Sequence, residues 1–204
     1  MRLRADPLPP GPARRHLRRA GSGTCASATS RTPPRRPARL DGVSNRDTTQ
    51  RCLSVCFVCT GNICRSPMAA NVFVEHLRRE GLDDRVRVSS SGTGDWHVGR
   101  PADPGTVATL RNAGYDDAHV AALLGPEHLE ADLLVAMDSG HVATLRRLVP
   151  DRDRVRLLRS FDPDADGDLD VPDPYGGGSR GFSDVLEMVH GAVPGLLAWV
   201  RERL

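Results

Sequence analysis

Leu53-Ser54-Val55-Cys56-Phe57-Val58-Cys59-Thr60-Gly61-Asn62-Ile63-Cys64-Arg65-Ser66 is the stretch that decides the fold. Leu53 to Val58 is a short apolar run of the kind shown by a strand buried on both faces. A Gly-containing turn follows, and then Pro67 to Glu80, where Met68, Ala69, Val72, Phe73 and Leu77 recur at helical spacing. Ser66 is placed as N-cap, Pro67 at the first helical position and Gly81 just past the end. The local order is strand, loop, helix.

The alternation continues downstream. Val86 to Ser90 reads as a strand, Pro104 to Ala113 as a helix stopped by Gly114, and Leu133 to Met137 as a third strand. Ser139 to Val149 is a helix closed by Pro150, and Val155 to Leu158 a fourth strand. A polar loop spans Ser160 to Gly178, and Ser183 to Arg203 closes the chain as a helix with a kink expected at Pro194. Strands alternating with such helices predict an α/β fold in three layers: a four-stranded parallel sheet with helices on both faces. In sheets of this kind the ligand sits beyond the carboxyl ends of the strands, next to the first of them. The loop after Val58 occupies that place.

Upstream the chain changes character. Residues 1–51 hold 12 Arg against 3 acids, a charge of +9 that leaves −7 for residues 52–204. Seven of the sixteen prolines fall in the first fifty residues, and all eight aromatic residues lie beyond them. Such a segment buries too little apolar surface to offset chain entropy, so residues 1–51 are expected to be a disordered basic extension and residues 52–204 the folded domain. Its charge would suit nucleic acid, but a solvated tail is the preferred reading. Neither a secretory core nor an apolar run long enough to cross a bilayer is visible, so the expected location is the cytoplasm, with export by another route left open.

Cys59-Thr60-Gly61-Asn62-Ile63-Cys64-Arg65-Ser66 sets a cysteine and an arginine six positions apart across a turn that feeds a helix. Backbone N–H groups of such a loop, with the helix dipole behind them, cradle an oxyanion. Gly61 and Asn62 tolerate left-handed backbone. Arg65 can offer two parallel hydrogen bonds to a phosphoryl group, which a lysine cannot. The same field stabilises negative sulfur, so Cys59 is expected to attack phosphorus as a thiolate and form a phosphocysteine, with Ser66 donating to the sulfur. The C-x5-R spacing alone is common; its position between buried strand and capped helix singles it out.

VCFVCTGNICRSPMAA, SSSGTGDWHVGRPADP, AMDS and DPYGG, in that order over residues 52–204, resemble the low-molecular-weight protein tyrosine phosphatases, particularly their actinobacterial branch. The resemblance implies hydrolysis of phosphotyrosine in protein substrates, phosphate or other oxyanions in the loop, and no metal or cofactor. By the same analogy Asp173, in Asp173-Pro174-Tyr175, is the general acid and later the base that activates water. Thr60, Gly61, Asn62, Ile63, Cys64 and Ser66 fall on the family's substrate-binding loop, and Trp96 and Tyr175 on the aromatic positions flanking its pocket. Asn62, Ser90 and His119 match a network that braces the loop. Ile63 stands where related protein-arginine phosphatases carry threonine and so points to phosphotyrosine; a protein-arginine phosphatase, or a non-catalytic phosphate- or nucleic-acid-binding protein, are the alternatives. Gly176-Gly177-Gly178 follows Tyr175 where some relatives have a second, phosphorylated tyrosine.

Other motifs compete for the same residues. Cys52, Cys56, Cys59 and Cys64 crowd together, but on an extended strand they cannot converge on one metal ion, and Cys56-x-x-Cys59 ends a strand where a thioredoxin-like pair opens a helix. In relatives the pair matching Cys59 and Cys64 forms a reversible disulfide. Arsenate reductases of this fold need further cysteines downstream, and none follows Cys64. Asp162 to Asp173 imitates a calcium loop, although the helix that should precede it is read as strand.

Overall fold

The computed structural model describes residues 52–204; the expectation of a disordered extension over 1–51 falls outside them. Its first strand, β1 (Leu53–Cys59), runs straight into the loop and then α1 (Arg65–Arg79). There follow β2 (Val86–Gly92), α2 (Pro104–Asn112), a four-residue turn of helix α3 (Pro126–Leu129), β3 (Leu133–Ala136), α4 (Ser139–Leu148), β4 (Val155–Leu157) and the long α5 (Gly178–Arg201). All strand pairs are parallel and the order is β2-β1-β3-β4.

Side chains alternate across the sheet with period two, and this places β1 between two apolar layers. Leu53, Val55, Phe57 and Cys59 point into the larger core with α1 and α5, where Phe57 meets Phe73 edge to face at 5.8 Å. Cys56 and Val58 point the other way, against Leu134, Ala136 and Leu145 of β3 and α4. Each fully buried side chain of this size contributes about 1.5–3 kcal/mol. Cys56 and Cys59 therefore belong to opposite layers.

The central position of β1 fixes what surrounds its carboxyl end. Cys59 pairs with Gly92 on one side, and Val58 with Ala136 on the other. Beyond β2 the chain keeps contact with the loop, Thr93 and Gly94 donating to the carbonyls of Cys59 and Thr60, each at 2.9 Å. A Cβ at Gly92 would stand 2.8 Å from the Thr60 carbonyl, so only glycine lets the strand pass this close.

Several boundaries depart from the sequence reading. Helix α1 starts at Arg65 with Cys64 at its N-cap, because the Ser66 hydroxyl is engaged by sulfur and amide groups of the loop and does not cap the helix. Helix α5 starts at Gly178, ahead of Ser183, and continues through Pro194. The next residue, Gly195, explains its packing: a Cβ there would lie 2.0 Å from the Phe161 carbonyl oxygen. The turn of helix at Pro126–Leu129 is too short to show a periodic pattern in sequence.

Candidate active site

The loop between β1 and α1 is held from behind by Asn62, which lies at φ 54°, in the left-handed region. Its side-chain amide donates to Ser66 Oγ (2.9 Å) and Ser90 Oγ (3.0 Å), and its Oδ1 accepts from Ala122 N–H at 2.8 Å. His119 Nε2 donates to the Asn62 carbonyl at 2.6 Å; burial lowers its pKa, in keeping with a neutral ring. Asn62, Ser90 and His119 thus form the expected brace. The side chains of Asn62 and Ser66, two residues of the expected substrate-binding loop, are buried behind it and engaged in this network, so what they can offer an anion is backbone N–H. Since Ser66 Oγ accepts from Asn62, its own proton is free for Cys59 Sγ, 2.9 Å away. The backbone N–H of Asn62 also points at that sulfur, at 3.3 Å.

The front of the loop opens on a cleft of about 170 Å3 lined by Cys59, Thr60, Gly61, Ile63, Cys64, Arg65, Trp96, His97, Asp173 and Tyr175. Trp96 and Tyr175 are 61% and 63% exposed, which rules out a core role for either. Between them lies His97, its ring 6.3 Å from Trp96 and 6.4 Å from Tyr175 and resting on the Cβ-less face of Gly61. Sequence reasoning missed His97, which is far from the loop in the chain.

Arg65 is 4% exposed, yet only part of it is engaged. Its Nη1 donates to Asp138 Oδ2 (2.9 Å) and to the Val171 carbonyl (3.1 Å). Its Nη2 donates to Thr60 Oγ1 (3.3 Å) and to Asp173 Oδ2 (2.8 Å), a carboxylate half exposed at the cleft. Its Nε is buried without any partner. A buried N–H left unpaired costs about 1–3 kcal/mol, which an entering anion would recover. Asp138, not singled out beyond the AMDS motif, also caps α4 by accepting from His141 N–H. Parallel pairing of β1 with β3 brings it there, two residues past Ala136.

Cys64, across the loop, is a buried free thiol whose pKa is pushed up to about 12, mainly by burial and further by Asp103. The acids of the calcium-like stretch point to different partners: Asp170 accepts from Ser139 N–H and Oγ, and Asp173 from Arg65. No group of three or more His, Cys, Asp or Glu able to hold a metal occurs among the described residues. Nor, among them, is any helix long and apolar enough to cross a membrane.

A parallel α/β sheet whose first strand delivers a cysteine, an anion-binding loop and a half-engaged buried arginine to one cleft defines a class of phosphate-handling proteins. The sequence matches the low molecular weight phosphotyrosine protein phosphatase family over residues 54–204, and the chain belongs to that family. It is 54% identical over 153 residues to low molecular weight protein-tyrosine phosphatase A of Mycobacterium tuberculosis, covering 74% of this chain and 94% of that protein. The same identity holds over 155 residues with the low molecular weight protein-tyrosine-phosphatase of Streptomyces coelicolor, with 74% and 94% covered. Among solved structures, YfkJ from Bacillus subtilis superposes with a TM-score of 0.70 at 33% identity, over 76% of this chain and 98% of that one.

Proposed function

We propose that the protein hydrolyses phosphotyrosine in protein substrates through a phosphocysteine intermediate, with Cys59 as nucleophile, Arg65 as the clamp on the transferring phosphoryl group and Asp173 as general acid and base. The observation that carries this reading is the buried guanidinium of Arg65, with Nε unpartnered and Nη2 shared with a half-exposed carboxylate, lining one cleft with Cys59. A protein that only held phosphate would need neither the sulfur nor the carboxyl group.

On binding, a phosphoryl oxygen replaces Asp173 on Nη2 and another accepts from Nε, the bidentate geometry that favours arginine. The thiolate form of cysteine is the nucleophile, and the donors at Cys59 Sγ, Ser66 Oγ and Asn62 N, are those that support it. The sulfur–phosphorus bond forms as the ester P–O bond breaks, and the leaving phenolic oxygen takes the proton of Asp173. In the second half, the Asp173 carboxylate takes a proton from water, whose oxygen attacks phosphorus. The sulfur–phosphorus bond breaks, restoring the thiolate and releasing inorganic phosphate. Charge on the phosphoryl oxygens is met by Arg65 and the loop N–H groups, so the scheme employs no metal or cofactor. Trp96, His97 and Tyr175 make an aromatic-walled entrance, which favours a phosphorylated phenol over a phosphorylated serine.

The test is the initial rate on phosphotyrosine, phosphoarginine and phosphoserine peptides under reducing conditions, for wild type and Cys59→Ser. Turnover confined to phosphotyrosine and lost in the variant is expected. A preference for phosphoarginine overturns the argument from Ile63, and no turnover overturns the enzymatic reading.

A further inference from the structure

Thr60 and His141 form a link to Arg65 that the phosphoryl-transfer scheme does not employ. Thr60 Oγ1 lies 2.9 Å from His141 Nε2 and accepts from Arg65 Nη2 at 3.3 Å. His141 Nδ1 stands 2.7 Å from Asp138 Oδ1, close but off the line that a full ring N–H hydrogen bond would need. Asp138 Oδ2 in turn accepts from Arg65 Nη1. Four side chains close a ring that begins and ends on one guanidinium.

The directions in the ring follow from chemistry. Arginine has only donors, so Thr60 Oγ1 accepts from it and is left with its own proton to give. That proton goes to His141 Nε2, which places the single proton of a neutral imidazole on Nδ1, facing Asp138. The charged groups whose fields reach His141 are Asp138 at the cap of its own helix, Arg65 of α1, and Asp173 and Asp170 of the long loop. Burial outweighs the pull of these carboxylates and lowers its pKa, in line with the neutral ring.

An account of the five guanidinium protons shows why this matters. The two on Nη1 go to Asp138 and the Val171 carbonyl, and the one on Nε has no protein partner. Of the two on Nη2, one goes to Asp173 and one to Thr60. When a phosphoryl oxygen takes the place of Asp173, Thr60 is the sole protein group left on Nη2.

We propose that His141 is a positioning residue: by fixing the Thr60 hydroxyl it holds the Nη2 edge of Arg65 where a phosphoryl group meets it. The role in catalysis rests on the phosphatase reading; the role in phosphate binding does not. Thr60 directly follows Cys59, so the link also ties α4 to the backbone beside the nucleophile.

The experiment measures the Kd of inorganic phosphate by calorimetry on reduced protein, with kcat and KM for a phosphotyrosine peptide alongside. The variants are Thr60→Val, Thr60→Ser, His141→Leu, His141→Gln and the double variant Thr60→Val/His141→Leu. Thr60→Val and His141→Leu should each weaken phosphate about tenfold, the worth of one hydrogen bond to a charged group. The double variant should be no worse than either single one, because both cut the same link. Thr60→Ser and His141→Gln, which keep a hydroxyl and an acceptor, should recover most of the affinity. A fall in folded fraction changes the calorimetric stoichiometry and not Kd, so partial misfolding cannot imitate the result. Wild-type affinity in Thr60→Val, or losses that multiply in the double variant, overturns the proposal. Absence of peptide turnover by the wild type refutes the phosphatase reading alone, since the phosphate affinities still decide the role of His141.

Discussion

Replacing Asn62 tests the brace behind the loop and its backbone strain together. Asn62→Ala removes two hydrogen bonds donated by the side chain and one that it accepts, each worth about 1 kcal/mol net. It also leaves an alanine at φ 54°, where an ordinary L side chain costs about 1–2 kcal/mol. The expected loss is about 4 kcal/mol, a large share of a typical domain stability of about 5–15 kcal/mol. At about 2–4 °C per kcal/mol for a chain of this size, the thermal midpoint should fall by about 10 °C. Asn62→Gly loses the same bonds but adopts the left-handed backbone freely, so it should be the more stable of the two by about 1 kcal/mol. Thermal unfolding followed by circular dichroism, with peptide hydrolysis on the same samples, provides the readout. An alanine variant that melts with the wild type, or above the glycine variant, would refute the reasoning.

Further expectations concern chemistry and pH. Asp173→Asn should lower kcat by ~10²- to 10⁴-fold on phosphotyrosine and much less on an aryl phosphate whose leaving group needs no proton; equal losses on both would remove Asp173 as the acid. Trp96→Ala should raise KM for a phosphotyrosine peptide while leaving the affinity for inorganic phosphate unchanged, since the ring stands at the mouth of the cleft. Cys64, with its thiol pushed up to about 12, should escape iodoacetamide at neutral pH in the folded protein; its labelling, seen by mass spectrometry, would contradict that environment. Burial lowers the pKa of His76, His119, His141 and His190 in the folded chain. The unfolded chain then binds these protons first, so stability is full above the unfolded value of about 6.5 and is lost as pH falls through the lower folded ones. Urea midpoints that stay flat from pH 7.5 down to pH 5 would show the sign to be wrong.

Much of the architecture was legible because β1 and α1 obey simple rules. LSVCFV is apolar but for Ser54 since both of its faces are covered, and the stripe Met68, Ala69, Val72, Phe73, Leu77 is the buried side of α1. The cysteine, the arginine and the loop between them were readable because all lie within eight residues. Ser66 misled as a helix cap because a hydroxyl in that position serves equally well as a partner for sulfur, and sequence cannot tell which neighbour claims it. Asp138, His141 and His97 were not legible as parts of the site for a different reason. Asp138 and His141 reach Arg65 and Thr60 through the pairing of β1 with β3, and His97 arrives on the connection after β2, so their proximity is a product of strand order.

The contact between Arg65 Nη2 and Asp173 Oδ2 has a consequence for timing. The resting protein carries a tethered competitor for its own anion site, one that no dilution can remove. On the proposed binding mode every entering oxyanion evicts it, so its net affinity is the difference between two ligands for one N–H. Eviction also parts the Asp173 carboxyl group from the guanidinium while leaving it at the cleft, where the proposed mechanism calls for a proton donor. On the proposed mechanism, loading the cleft and releasing the carboxyl group of Asp173 are a single exchange, and departure of phosphate reverses both.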